Sequence, residues 1–125
     1  MTRCAIYCRY STDMQNDTSL ADQTREAREY AERQGWSVVK VYEDAAMSGS
    51  SSNRPQFEQL RKDAEANQFD VVLTELIDRL SRNLAVTAQV HEELSFAGVR
   101  LFTIHLGEIS QMHVAVMGMI GPVAV

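Results

Sequence analysis

The sequence predicts an α/β fold: a mostly parallel central sheet of about four to five strands with helices on both faces. Three observations carry that expectation. Short apolar runs of strand length alternate along the chain with longer segments whose apolar residues recur at helical spacing. The run "DVVLTEL" (70–76) opens almost continuously apolar, as a strand covered on both faces does. Two helical segments run into a glycine, Gly35 and Gly98, the residue that most readily ends a helix.

The elements follow in order. Residues 3–10, "RCAIYCRY", read as the first strand. Residues 18–34 read as a helix: Ser19 with Asp22 has the form of a capping box, and Leu20, Ala27, Tyr30 and Ala31 make an apolar stripe. "WSVVKVYED" (36–44) is the second strand, and "AAMSGSSSN" (45–53) is a serine-rich loop of small residues. Residues 54–68 form a helix with Pro55 in its first turn and Phe57, Leu60 and Ala64 on one face. The third strand at 70–76 runs into "IDRLSRN", and residues 84–97 read as a helix. "VRLFTIHL" (99–106) is the fourth strand, and "SQMHVAVMGMI" (110–120) begins another helix. Neither an internal repeat nor an interdomain linker interrupts this order, so residues 1–125 read as one domain.

Composition narrows the classes. The chain has 125 residues, 45% of them hydrophobic and 23% charged, the balance of a globular domain with its own core. No apolar run approaches the roughly 20 residues that span a bilayer, and "MTRCAIYC" carries no long apolar segment or cleavage site, so a cytoplasmic protein without a membrane partner is expected. Cys4 and Cys8 lie on one strand about 13 Å apart at strand rise, beyond disulfide reach, and read as core thiols. The net charge of −5 argues against strong nucleic-acid binding by this segment alone, because neutralising phosphates requires positive charge. Yet 10 of the 12 basic residues are arginines, whose planar fork suits phosphate and carboxylate.

In open α/β sheets functional groups gather beyond the carboxyl ends of the strands. There the first strand leads through Tyr7 and Arg9 to Ser11, Thr12 and Gln15; Tyr7, Arg9 and Ser11 share one face in extended chain. The second leads to Asp44, Ser48 and Gly49, then Arg54 across the loop. The third leads to Asp78, Arg79 and Arg82, and the fourth only to His105, Gly107 and Glu108. A serine among several guanidinium groups suits a phosphodiester, which is anionic and gathers charge on its equatorial oxygens as an oxygen nucleophile attacks. Arg9, Arg54, Arg79 and Arg82 could supply charge-assisted, bidentate donors. Positive charge would also favour the Ser11 alkoxide, which has no adjacent histidine or lysine base. On a helix Arg79 and Arg82 share a face and Asp78 can pair with Arg82; Asp78 either orients an arginine or carries a proton.

Taken singly, each residue has a plainer role. Ser11 and Asp44 could shape turns, Arg54 and "DRLSR" could be solvated helix starts, and Gln23 could merely bridge backbone groups. Their convergence on one sheet edge favours a site. His91, His105 and His113 lack metal-ligand spacing, and no glycine-rich phosphate loop or cofactor fingerprint is present, so neither metal nor cofactor is expected.

In order, "YCRYST", Gln23, "YEDAAMSGSSSNRP", "LTELIDRLSRN" and "HLGEISQMHVAVMGM" resemble the catalytic domain of the serine recombinases, the resolvase/invertase family, over nearly the whole chain. The loop after Ser11 and the form "SGSSSNRP" look more like the large serine integrases and transposases. The resemblance implies Ser11 as the nucleophile that becomes joined to the 5′ phosphate of a cleaved strand. It implies Arg9, Arg54, Arg79 and Arg82 as phosphate ligands and Asp78 as the acidic residue beside them. Tyr7, Gln15, Gln23, Asp44 and Ser48 follow as supporting or phosphate-binding residues. Double-stranded DNA and copies of the same chain, in dimers and tetramers, are the implied partners. Because bond energy is kept in the phosphoserine, neither metal nor ATP is implied.

The family continues into a long oligomerisation helix and a DNA-binding region. Here the sequence is expected to stop near the start of that helix, at about 111–121, with the DNA-binding domain absent; Pro122 would cost about 3 kcal/mol in a helix interior. Little or no recombination is expected from these residues alone. Two alternatives have other signatures. A catalytically incompetent remnant would act through mixed oligomers, using the apolar segment 114–125 as a docking patch. A receiver-like or phosphate-binding domain would use Asp44 or Asp78.

Overall fold

The computed structural model describes residues 1–10, 17–45, 55–75 and 84–110, with the side chains of 10, 17–21, 45 and 84 left aside. Apart from Ser110, the helix expected at 110–120 and the segment containing Pro122 fall outside these residues. Five strands form one sheet in the order β2-β1-β3-β4-β5. The strands are β1 (Arg3–Tyr10), β2 (Ser37–Ala45), β3 (Val71–Thr74), β4 (Arg100–Thr103) and β5 (Gly107–Glu108). The helices are α1 (Asp17–Gln34), α2 (Pro55–Glu65) and α3 (Leu84–Phe96). All neighbouring strands run parallel except β4 and β5, which are antiparallel.

Alternation along β1 builds two cores. Cys4, Ile6 and Cys8 face one side with Val71 and Leu73, and meet Ala27 and Ala31 of α1. Ala5 and Tyr7 face the other side, where Tyr42, Val72 and Leu101 meet Phe57, Leu60 and Ala64 of α2 and Val90 and Leu94 of α3. Both thiols are free and buried, and burial pushes the Cys4 thiol up to about 12. Covered above and below, β3 is buried at all four residues, which is why its sequence lacks alternation.

All three described helices end in one hydrogen-bond pattern. Gly35 N–H and Trp36 N–H donate to Glu32 and Ala31, Asn67 and Gln68 to Ala64 and Asp63, and Gly98 and Val99 to Ser95 and Leu94. This is the Schellman arrangement, which requires a left-handed residue just past the helix. Gly35 and Gly98 provide it as expected from the sequence, at φ of 78° and 77°. At the end of α2 Asn67 does so at φ 60°, and the helix therefore stops before the expected 68.

The fourth strand also ends early. The run 99–106 does not stay extended: β4 stops at Thr103, a turn follows, and Gly107 at φ 74° starts β5 back along β4. Thr103 Oγ1 accepts the N–H of Leu106 at 2.9 Å and closes that turn. No described helix is long and apolar enough to cross a membrane.

Candidate active site

The strand order places β1 between β2 and β3, so the chain leaves β1 toward one edge and later crosses to the other side. The strand order therefore reverses between β1 and β3, and the carboxyl end of such a switch point is where open α/β sheets bind ligands. Four of the expected site residues are described, and all four lie at this end.

Tyr7 is fully buried, with its ring 5.2 Å from that of Phe57. Its hydroxyl donates to Asp44 Oδ2 at 2.9 Å. Asp44, at the end of β2, is itself 5% exposed. Its carboxylate also accepts the Phe57 N–H at 2.9 Å on Oδ2 and the Gln56 N–H at 3.1 Å on Oδ1. These are free N–H groups of the first turn of α2, so Asp44 caps that helix from a neighbouring strand. The negative carboxylate also suits the positive end of the helix dipole. One side chain thereby joins β1, β2 and α2. A receiver-like role for Asp44 meets a carboxylate already engaged with three donors.

Gln23, from α1, is 4% exposed and contacts the backbone of Arg9 on both groups. Its Oε1 accepts the Arg9 N–H at 3.4 Å, and its Nε2 donates to the Arg9 carbonyl at 3.2 Å. At the next residue, Thr24 Oγ1 lies 3.4 Å from Cys8 Sγ and donates to Glu43 Oε2 at 3.1 Å. The end of β1 is therefore held on its α1 side by Gln23 and Thr24, and on its α2 side by the Tyr7–Asp44 pair. Arg9, with its Nε buried, sits between these supports.

Thr24 and Thr74 were not singled out in the sequence. Thr24 could have been found from its place beside Gln23 on the sheet-facing side of α1. Thr74 ends β3 fully buried, and its hydroxyl makes no hydrogen bond among the described residues; a desolvated hydroxyl costs about 1–3 kcal/mol. No sequence signal distinguishes it from any strand threonine. Ser11, Gln15, Ser48, Arg54, Asp78, Arg79 and Arg82 lie outside the described residues. Among those described, no group of histidine, cysteine or carboxylate side chains could hold a metal ion. An open groove of about 460 Å³ between Met1, Arg28, Glu32, Trp36 and Val38 lies at the amino end of the strands, remote from this cluster.

Among the described residues the arrangement presents one arginine at a strand end held from both sides, with Tyr7, Gln23 and Asp44 buried beneath it. That suits binding and orienting an anionic group.

Comparison with known proteins agrees with this architecture. The family model "Resolvase, N terminal domain" matches residues 4–124. The N-terminal catalytic domain of TP901-1 integrase is 29% identical, with a TM-score of 0.78 over 98% of this chain and 93% of that one. The C-terminal catalytic domain of ISC1926 TnpA, an IS607-like serine recombinase, is 30% identical, with a TM-score of 0.73 over 97% of this chain and 80% of that one. A resolvase family site-specific recombinase from Streptococcus pneumoniae, 23% identical, shares the fold with a TM-score of 0.84 over 99% and 88% of the two chains. No curated protein matches the chain significantly.

Proposed function

The chain belongs to the resolvase N-terminal domain family of serine recombinases, and from that membership we propose that it cleaves and rejoins double-stranded DNA through a covalent 5′-phosphoserine on Ser11. The observation that best supports this reading is the doubly braced end of β1, where Arg9 stands two residues before Ser11. A phosphate ligand and a nucleophile so close in sequence need a strand end that does not wander.

In the proposed step the Ser11 Oγ–P bond forms as the P–O3′ bond breaks. The serine hydroxyl loses a proton and the departing 3′ oxygen gains one, with Asp78 either carrying a proton or orienting Arg82. Arg9, Arg54, Arg79 and Arg82 stabilise the charge that grows on the equatorial oxygens. Gln15 and Ser48 complete the supporting set with Tyr7, Gln23 and Asp44. One diester replaces another, so rejoining is the same step reversed, and neither ATP nor metal is called for. DNA and further copies of the chain, in dimers and tetramers, are the proposed partners.

The protein encoded by the complete reading frame, incubated with labelled duplexes carrying the DNA that flanks its gene and quenched in detergent, tests the proposal. A protein–DNA adduct whose phosphate maps to Ser11, and which Ser11→Ala abolishes, is the expected result. An adduct that persists in Ser11→Ala or maps elsewhere would overturn it.

A further inference from the structure

Gln23 stands where, among the described residues, β1 has run past its neighbour β3. β1 and β3 stay in register only as far as Ile6 opposite Leu73, and β3 ends one residue later, at Thr74. The backbone groups of odd-numbered β1 residues face β3: the Arg3 carbonyl accepts the Asp70 N–H at 2.8 Å, and the Arg3 N–H donates to Asp70 Oδ2 at 2.9 Å. By the twofold alternation of a strand, Arg9 directs its N–H and carbonyl the same way, past the end of β3. Gln23 meets both groups there, accepting from one and donating to the other. A paired strand residue makes the same kind of exchange.

The residue type fits this task. A carboxamide carries an acceptor and donors on one planar group, whereas glutamate lacks the donor and lysine the acceptor. Gln23 lies one turn before Ala27 and two before Ala31, on the face of α1 that packs against the sheet. Packing alone would be served there by an apolar side chain, and a buried amide is unfavourable unless it is bonded. At 3.2 and 3.4 Å the bonds are long, so they add little to global stability. Their effect is local: the last turn of freedom at the end of β1 is removed.

We propose that Gln23 is a positioning residue, a one-residue substitute for a paired strand. It fixes the backbone of Arg9 and hence the direction in which the chain leaves the sheet toward Ser11. The catalytic half of this proposal rests on the assignment of Ser11 and Arg9 above; the clamp itself does not. A misplacement of about 1 Å at a reacting group can cost on the order of 100-fold in rate.

The test uses Gln23→Met, which keeps the volume and removes both bonds, and Gln23→Glu, which keeps only the acceptor. Amide hydrogen exchange of the 125-residue chain reads the clamp directly. In Gln23→Met the Arg9 amide is expected to lose protection while the Ile6 and Val72 amides keep theirs. In the protein from the complete reading frame, adduct formation at saturating DNA is expected to slow by about 100-fold with DNA affinity unchanged. Gln23→Glu is expected to fall between the two. An Arg9 amide as protected in Gln23→Met as in the wild type overturns the clamp. An exposed Arg9 amide with an unchanged adduct rate overturns the positioning role. A wild-type protein that forms no adduct removes the functional assignment, and the exchange result still decides the clamp.

Discussion

Asp44 shows how one buried carboxylate can serve three elements at once. It accepts from the Tyr7 hydroxyl and from two N–H groups of α2, so its removal takes a charged acceptor from the phenol and the cap from the helix together. Loss of a cap costs about 0.5–2 kcal/mol, and loss of a hydrogen bond to a charged group about 1.5–3 kcal/mol. Asp44→Ala should therefore lower stability by about 3 kcal/mol. Tyr7→Phe leaves both backbone donors in place and should cost about half as much, the range for a hydrogen bond to a charged group. The two losses share one bond, so they should not add. In urea denaturation the double variant should fall short of the sum by about 1 kcal/mol or more. Strict additivity would mean that the phenol and the carboxylate are not bonded in solution. The spacing of Tyr7 and Arg9 on one face was legible in the sequence from strand alternation alone. That Asp44 caps α2 was not, because the partners lie 12 and 13 residues apart and no local motif joins them.

Among the elements, the ends rather than the middles resisted a reading from sequence. Phe57, Leu60 and Ala64, and Ala27 with Ala31, were visible as helical stripes, and each is buried. Glycine made two helix ends legible. The third was hidden because Asn67 adopts the left-handed conformation that glycine would normally mark. A β-carbon in that region is strained, less for asparagine than for other side chains. Asn67→Gly should accordingly stabilise the protein by a few tenths of a kcal/mol up to about 1, and Asn67→Ala should destabilise it by about 1. Equal denaturation midpoints for the two variants would contradict the left-handed assignment. The split of 99–106 into β4, a turn and β5 was hidden for a related reason: "VRLFTIHL" is strand-like throughout, and only the Thr103 hydroxyl and Gly107 decide where it folds back. At the other edge, Val39 is a bulged and half-exposed residue of β2 beside Lys40. Bulges and lysines discourage a second chain from pairing with an open edge.

At the scale of the molecule, alternating strands and helices made the α/β class readable, whereas the order β2-β1-β3-β4-β5 depends on pairings between distant segments and left no mark in any one of them. Of the candidate site, the positions of Tyr7, Arg9, Gln23 and Asp44 were readable to the extent that they follow from that class, since strand carboxyl ends could be named before the strands were ordered. The assembly of the layers has its own electrostatic signature. Arg61 of α2 holds Glu93 of α3 with two bonds, Nε to Oε1 at 2.9 Å and Nη2 to Oε2 at 2.6 Å. The Arg61 bonds, and more weakly Gln89, keep the Glu93 carboxyl below its usual range, against the opposing effect of burial. Asp63 is lowered chiefly by the Tyr42 hydroxyl, Asp70 by Arg3 and Glu108 by Arg100. A carboxyl lowered in the folded state adds stability that is complete above its unfolded value, about 3.9 for aspartate and 4.3 for glutamate. That stability is lost as pH falls through the lower, folded value. All four carboxylates are partly exposed, so solvent reduces each contribution and salt screens it. Stability should hold from neutral pH down to about 5 and then decline as acid protonates the four carboxyls. Glu93→Gln isolates one of them. It should be less stable than the wild type at neutral pH, and the two urea midpoints should begin to converge as pH falls below about 4.3 and meet only once pH passes the lower value of folded Glu93, where the wild-type glutamate also becomes neutral. A gap of constant size through that range would show that Glu93 stabilises the α2–α3 contact by packing rather than by its charge.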